Sequence, residues 1–243
     1  MDSGYYAACA GLRAQTETLE LIANNVANIN TAGFRGQQPR FSSLLAVDTD
    51  PAGALSSAVN NFNVLEGSRV DLSPGNLEPT GNPLDMGIEG KGFFAVQSSN
   101  GVIYTRNGSF QVSAAGRLTT SAGDPVLGDQ GAIVLPSGKV SVSGNGTISV
   151  DGAVAGKLRV VEFAPGSSPL PVGKTYYAAA DSAVQRMPDA SVRQGMLESS
   201  NVNAVTAVTE LITAQRRAEM LERALSLFHS NLNHIAASDL PHV

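Results

Sequence analysis

Apolar residues near the N-terminus recur at alternating intervals of three and four. Tyr5, Ala8, Leu12, Gln15, Leu19, Ile22, Val26 and Ile29 form one seam, with Gln15 as its polar member. A heptad seam of this kind predicts a helix over about residues 3–30 whose narrow apolar stripe needs a helical partner. At 1.5 Å per residue that helix is roughly 40 Å long. Gly33 suits the left-handed residue that closes a helix, and Phe34 the apolar residue that folds back beside it. The same period returns at the other end of the chain in Leu211, Ala214, Ala218, Leu221, Leu225, Phe228, Leu232 and Ile235. That second helix is expected to start behind Ser200 or Asn201 as its cap and to run to about residue 237, before Pro241.

Between the helices the period shortens to two. Short β-rich segments alternate with turn dipeptides at Asn100-Gly101, Asn107-Gly108, Asn145-Gly146 and Asp151-Gly152. They predict an antiparallel barrel-like or sandwich-like domain. The expected fold class is α+β: long N- and C-terminal helices pairing as a coiled coil, with a central antiparallel mainly-β domain. The expected divisions are an axial helix over 1–34, an extended connection with little regular structure over 35–80, and a β-rich domain over 81–185. A return linker over 186–200 and a second helix with its tail over 201–243 complete the chain.

The polar side of the first helix is unusual. No charged residue occurs between Glu20 and Arg35, yet Asn24, Asn25, Asn28 and Asn30 sit among small and aliphatic residues. At about 100° per residue, Asn25 and Asn30 flank the seam, and Asn24 and Asn28 lie opposite it. The second helix repeats the device: Asn231 and Asn233 stand in a stretch, 224–238, that has no Asp, Glu, Lys or Arg. An unpaired buried charge is very costly, whereas an amide finds donors and acceptors across an interface. These six asparagines are therefore read as contacts to neighbouring subunits.

Composition narrows the chemistry. The chain has 243 residues, 15% of them charged, a net charge of −5 and no tryptophan. That balance, with no basic cluster, argues against nucleic acid as a partner. No run approaches the ~20 apolar residues of a membrane span, and no secretory signal is expected. Cys9 allows no internal disulfide and reads as a small packed residue, not a lipidation site. "GIEGKGFF" lacks the spacing of a dinucleotide loop and reads as turn geometry at a strand entry. His229 and His234 are five positions apart and do not share a helix face as metal ligands would. Asp85 with Glu89, or Asp124 with Asp129, could be drawn as acid/base pairs, but nothing in the pattern positions them. No catalytic residue, cofactor, metal or small-molecule substrate is expected. Two other classes fit the residues less well. A carbohydrate-binding β domain would need an aromatic platform, whereas Phe93, Phe94, Tyr104 and Phe110 are spaced like core residues. A coiled-coil adaptor would carry charged flanks along its whole seam.

"ANNVANINTAGFR", "TGNPLDMGIEGKGFFAV", "YTRNGSFQVSAAGRL" and "LESSNVNAV" together resemble the signatures of the bacterial flagellar rod and hook family, over nearly the whole chain. Length and the "RNGSFQVSAAGRL" run resemble the proximal rod members most, and the distal rod members next. The resemblance implies a non-enzymatic axial subunit of the basal body. It implies as partners copies of itself, other rod subunits and the flagellar type III export apparatus. It also implies a place in the rod crossing the periplasm, reached without a cleavable signal peptide, and an inner tube of terminal helices with the β domain outside.

Overall fold

The computed structural model describes residues 2–44, 62–188 and 190–238. Two compact units emerge. One comprises residues 1–26, 37–69 and 204–243, and the other 27–36 and 70–203.

The first unit holds α1 (Asp2–Ala27), β1 (Gln37–Leu44), β2 (Phe62–Val70) and α2 (Ala204–Ser238), with β1 and β2 forming a two-stranded sheet. Part of the expected connection over 35–80 is thus paired strand. Its sequence lacks the regular apolar/polar alternation that predicts strands. α1 stops three residues before the expected end. Asn28 starts a turn there: its carbonyl accepts from the Thr31 amide at 3.1 Å and its Oδ1 from the Thr31 hydroxyl at 3.1 Å. Such local bonding competes with helix continuation. Ile29 and Asn30 therefore lie beyond the helix.

The second unit is mainly β and antiparallel throughout its named ladders. Its centre is a six-stranded sheet ordered β15 (Leu170–Pro171), β16 (Tyr176–Ala178), β6 (Gly101–Thr105), β5 (Phe93–Ser98), β14 (Val160–Phe163) and β17 (Val184–Arg186). A three-stranded sheet joins β11 (Val140–Val142), β12 (Thr147–Val150) and β13 (Ala153–Lys157). Two ladders reach towards the chain's end. β4 (Met86–Glu89) pairs with β18 (Ser191–Gln194), and β3 (Leu77–Pro79) with β19 (Met196–Glu198). Asp151-Gly152 forms a two-residue hairpin loop, both residues at positive φ (51° and 86°), as expected of that dipeptide.

The period of two explains the core. Successive residues of a strand face opposite sides, and β5 is covered on both. Phe94 and its partner Val160 enter a cluster with Phe110, Leu118, Ile148 and Met86. Phe93 and its partner Val161 enter another with Tyr104, Phe163 and Tyr177. Ring centroids lie 5.1 Å apart for Phe94–Phe110 and 4.7 Å for Phe93–Phe163. The aromatics are thus spent on the core, and no platform for a sugar is built from them. Phe94 is fully buried, so Phe94→Ala should cost about 3–5 kcal/mol, read as a lower urea midpoint with an unchanged slope. Val154→Ala, at a residue 73% exposed, should stay within about 0.5 kcal/mol of the parent.

Candidate functional site: the terminal helices and a buried ionic junction

In the first unit α2 buries small residues at the spacing of three and four, beginning at Ala207, one turn before Leu211. Ala207, Ala214 and Ala218 are buried, and Leu211, Leu221 and Leu225 are half-buried between and beyond them. On α1, Ile22 is buried and Leu12, Leu19 and Val26 are half-buried. The two helices meet at the polar seam member: Gln15 Nε2 donates to the Ala214 carbonyl at 3.1 Å. A groove of about 530 Å³ beside it is lined by Thr18, Ile22, Pro39, Thr209 and Ala214 among others. The Thr18 and Thr209 hydroxyls donate to carbonyls of their own helices, at 2.8 Å each. α2 also carries a second apolar stripe, and this one faces water. Val205 is 78% exposed, Met220 61% and Leu227 64%, with Ile212 alongside. The side chains of Phe228, Asn231, Leu232, Asn233 and Ile235 lie outside the described residues.

The asparagines divide. Asn25 clamps β1: its Nδ2 donates to the Gln37 carbonyl at 2.8 Å and its Oδ1 accepts from the Gln37 amide at 2.9 Å. Asn28 is buried in the turn. Asn24 and Asn30 are exposed.

The second unit contains a site the charge pattern did not single out. After Asn28 the chain enters the β domain with Gly33 at φ 71°, where an added Cβ would lie 2.3 Å from the Asn107 amide nitrogen. Phe34 and Arg35 are each 1% exposed. Arg35 Nη2 donates to Glu198 Oε1, which also accepts from the Gly75 amide at 2.6 Å. Arg106 Nε donates to the other oxygen of Glu198. The rest of that guanidinium donates to three carbonyls, those of Ile88, Gly90 and Gly92. The "GIEGKGFF" stretch is therefore a carbonyl cradle for Arg106 as well as a turn. Two guanidinium groups share one buried carboxylate, and the backbone carbonyls absorb the remaining positive charge. Burial pulls the Arg106 pKa down, and Glu198 beside it pulls it back up.

Around this cluster the segment after α1 is stitched to the segment before α2. The Gly33 amide donates to the Glu198 carbonyl at 2.7 Å, and the Gly36 amide to Asn201 Oδ1 at 2.8 Å. Asn201 does not cap α2. Its Nδ2 donates to the carbonyls of Asp71 and Ser73, both at 3.0 Å. The Arg35 amide donates to the Tyr177 hydroxyl at 3.2 Å.

The imagined acid/base groups have other work. Asp85 accepts from Thr80 Oγ1 at 2.7 Å and from Asn82 Nδ2 at 3.0 Å. Glu89 is exposed and accepts from Arg193 at 2.9 Å and from Ser191 at 3.1 Å. Those bonds hold its carboxyl below the usual range, the Arg193 bond contributing most.

Three family models match the chain: "Flagella basal body rod protein" over residues 6–35, "Flagellar hook protein FlgE/F/G D1 domain" over 87–154, and "Flagellar basal body rod FlgEFG protein C-terminal" over 193–234. The chain is 33% identical to the flagellar basal-body rod protein FlgF of Escherichia coli over 95% of its own length and 96% of that protein's. It belongs to the flagellar basal-body rod protein family. It is similarly 34% identical to FlgF of Caulobacter vibrioides, covering 93% of each, and 33% identical to FlgG of Agrobacterium fabrum, covering 90% and 92%. In this rod-family chain the junction takes Arg35 from the first matched stretch, Arg106 from the second and Glu198 from the third.

Two outcomes test the junction. Gly33→Ala meets both positive-φ strain and a backbone clash and should destabilise the β domain by about 3 kcal/mol in urea titrations. Burial pushes the Tyr177 hydroxyl up to about 12, whereas an unfolded tyrosine titrates near 10. A raised folded pKa gives stability that is complete below about pH 10 and lost as pH rises towards about 12, here about 3 kcal/mol at most. Tyr104 is shifted the same way by burial. Tyr177→Phe should therefore lessen, not abolish, the fall in melting temperature across that window.

Proposed function

We propose that this chain is a structural, non-enzymatic axial subunit of the bacterial flagellar basal-body rod, polymerising helically through its terminal helices to transmit torque. The observation that carries the reading is the second stripe of α2. A 35-residue helix buries only Ala207, Ala214 and Ala218 among its described residues while Val205, Ile212, Met220 and Leu227 face water. Burying such side chains against neighbours adds about 1.5–3 kcal/mol each, enough in sum to order long helices that are marginal alone. The α1 and α2 seams pair as a coiled coil in this reading, with Gln15 setting register. Exposed Asn24 and Asn30 face neighbouring subunits, and Asn231 and Asn233 do the same further along.

The proximal segment of the rod is the preferred position. The FlgF relative from Escherichia coli aligns over slightly more of both chains than the FlgG relative does. A distal rod or hook-type position is the second reading. Torque passes through many staggered interfaces sharing load. The partners are copies of this chain, other rod subunits and the flagellar type III export apparatus, and the place is the rod crossing the periplasm.

Limited proteolysis of the monomer, with fragments read by mass spectrometry, tests the need for partners. Rapid loss of the terminal helices with survival of the β domain is expected; full protection in a proven monomer overturns it. Met220→Asp gives the cellular test. At an exposed position the monomer should melt within about 0.5 kcal/mol of the parent, yet rods should fail to assemble and cells should stop swimming. Wild-type swimming would remove α2 from the interface.

A further inference from the structure

We propose that Glu198 is a positioning residue that presets, in the free subunit, the chain segment that follows α1 and the one that precedes α2. This inference rests on the rod-subunit reading for its purpose, but its geometry belongs to one unit. Segment 28–36 follows α1 and segment 196–203 precedes α2, and both lie in the β unit, not with the helices themselves. Glu198 holds them together through both of its ends. Its carbonyl accepts from the Gly33 amide, and its carboxylate binds Arg35 on one oxygen and Arg106 on the other. Arg106 is in turn anchored on the carbonyls of Ile88, Gly90 and Gly92, so the carboxylate refers both segments to the end of β4 and the turn that follows it. Asn201 adds the second staple, to Gly36 on one side and to Asp71 and Ser73 on the other.

The chemistry suits positioning better than cohesion. A fully buried ion cluster recovers little net stability over well-packed apolar groups, because each charge must first leave water. What it adds is directional: a carboxylate with two guanidinium partners is satisfied in one arrangement only, and a shifted segment would strand a buried charge. A subunit carrying this cluster holds segments 28–36 and 196–203 at a fixed separation before a neighbour arrives. Assembly then orders helices from points already set.

Backbone hydrogen exchange on the full-length monomer tests this. In the parent chain the amides of Gly33, Gly36 and Asn201 should exchange as slowly as the core amides of Ala95, Leu118 and Val126, and far more slowly than those of α1 and α2. Glu198→Gln leaves both arginines underpaired. It should speed exchange at Gly33, Gly36 and Asn201 by about tenfold or more while the three core amides change little. A purely cohesive role predicts instead that all six accelerate together, and that result overturns the proposal. So does unchanged exchange at the three junction amides. If Glu198→Gln does not fold, Arg35→Lys decides the matter, since it keeps the charge but loses the fork, and the same selective opening is expected. In cells, either variant should lower the number of complete rods. Selective opening with normal rods and swimming would overturn the positioning role while leaving the rod reading to the Met220→Asp result.

Discussion

One carboxylate with two arginines holds together parts of the chain that are far apart in sequence. Arg35 comes from just after the first helix, Arg106 from the central sheet and Glu198 from just before the last helix, and all three are about 1–2% exposed. Removing one member would leave the others buried without compensation. Other features are arranged around that constraint. The glycines of the 88–92 stretch let carbonyls converge on Arg106. Gly33 lets the chain pass against the Asn107 backbone.

The two units obey different accounting. The β unit closes two apolar clusters on the two faces of one sheet and so satisfies its own strands. The helical unit does not. Among its described residues α2 fully buries only alanines, leaves its leucines at 211, 221 and 225 half-buried, and exposes Val205, Ile212, Met220 and Leu227. A helix in that condition gains little from burial against its own chain to offset its ordering entropy. The difference follows directly from where the period of two and the period of three-and-four place their apolar residues.

Periodicity made much of this legible. Both helices and the aromatic core were readable from spacing alone, because each depends on local pattern. Strand pairing over 37–44 and 62–70 was not, since neither strand carries a clean alternation. The junction was harder still. Arg35, Arg106 and Glu198 look like ordinary surface charges, and nothing local distinguishes a charge that will be buried by two distant partners. A weak signal existed: each sits inside a glycine-, asparagine- or serine-rich turn stretch in a chain poor in charge. Asn201 looked like a helix cap because caps and turn staples use the same amide chemistry.

The amides answer the puzzle of the uncharged first helix in a way that spacing could not. Asn25 uses both ends of its side chain on one residue, giving a proton to the Gln37 carbonyl and taking one from the Gln37 amide. A carboxylate could only accept and an ammonium could only donate, so either charge would leave one backbone group of β1 unpaired. Asn201 does the same for two segments at once. Asn28 does its work locally, closing the turn that redirects the chain towards Gly33. In these positions asparagine acts as a piece of portable backbone, completing ladders where the main chain has turned away. The absence of charge on the helix face is then partly a demand of the subunit's own fold.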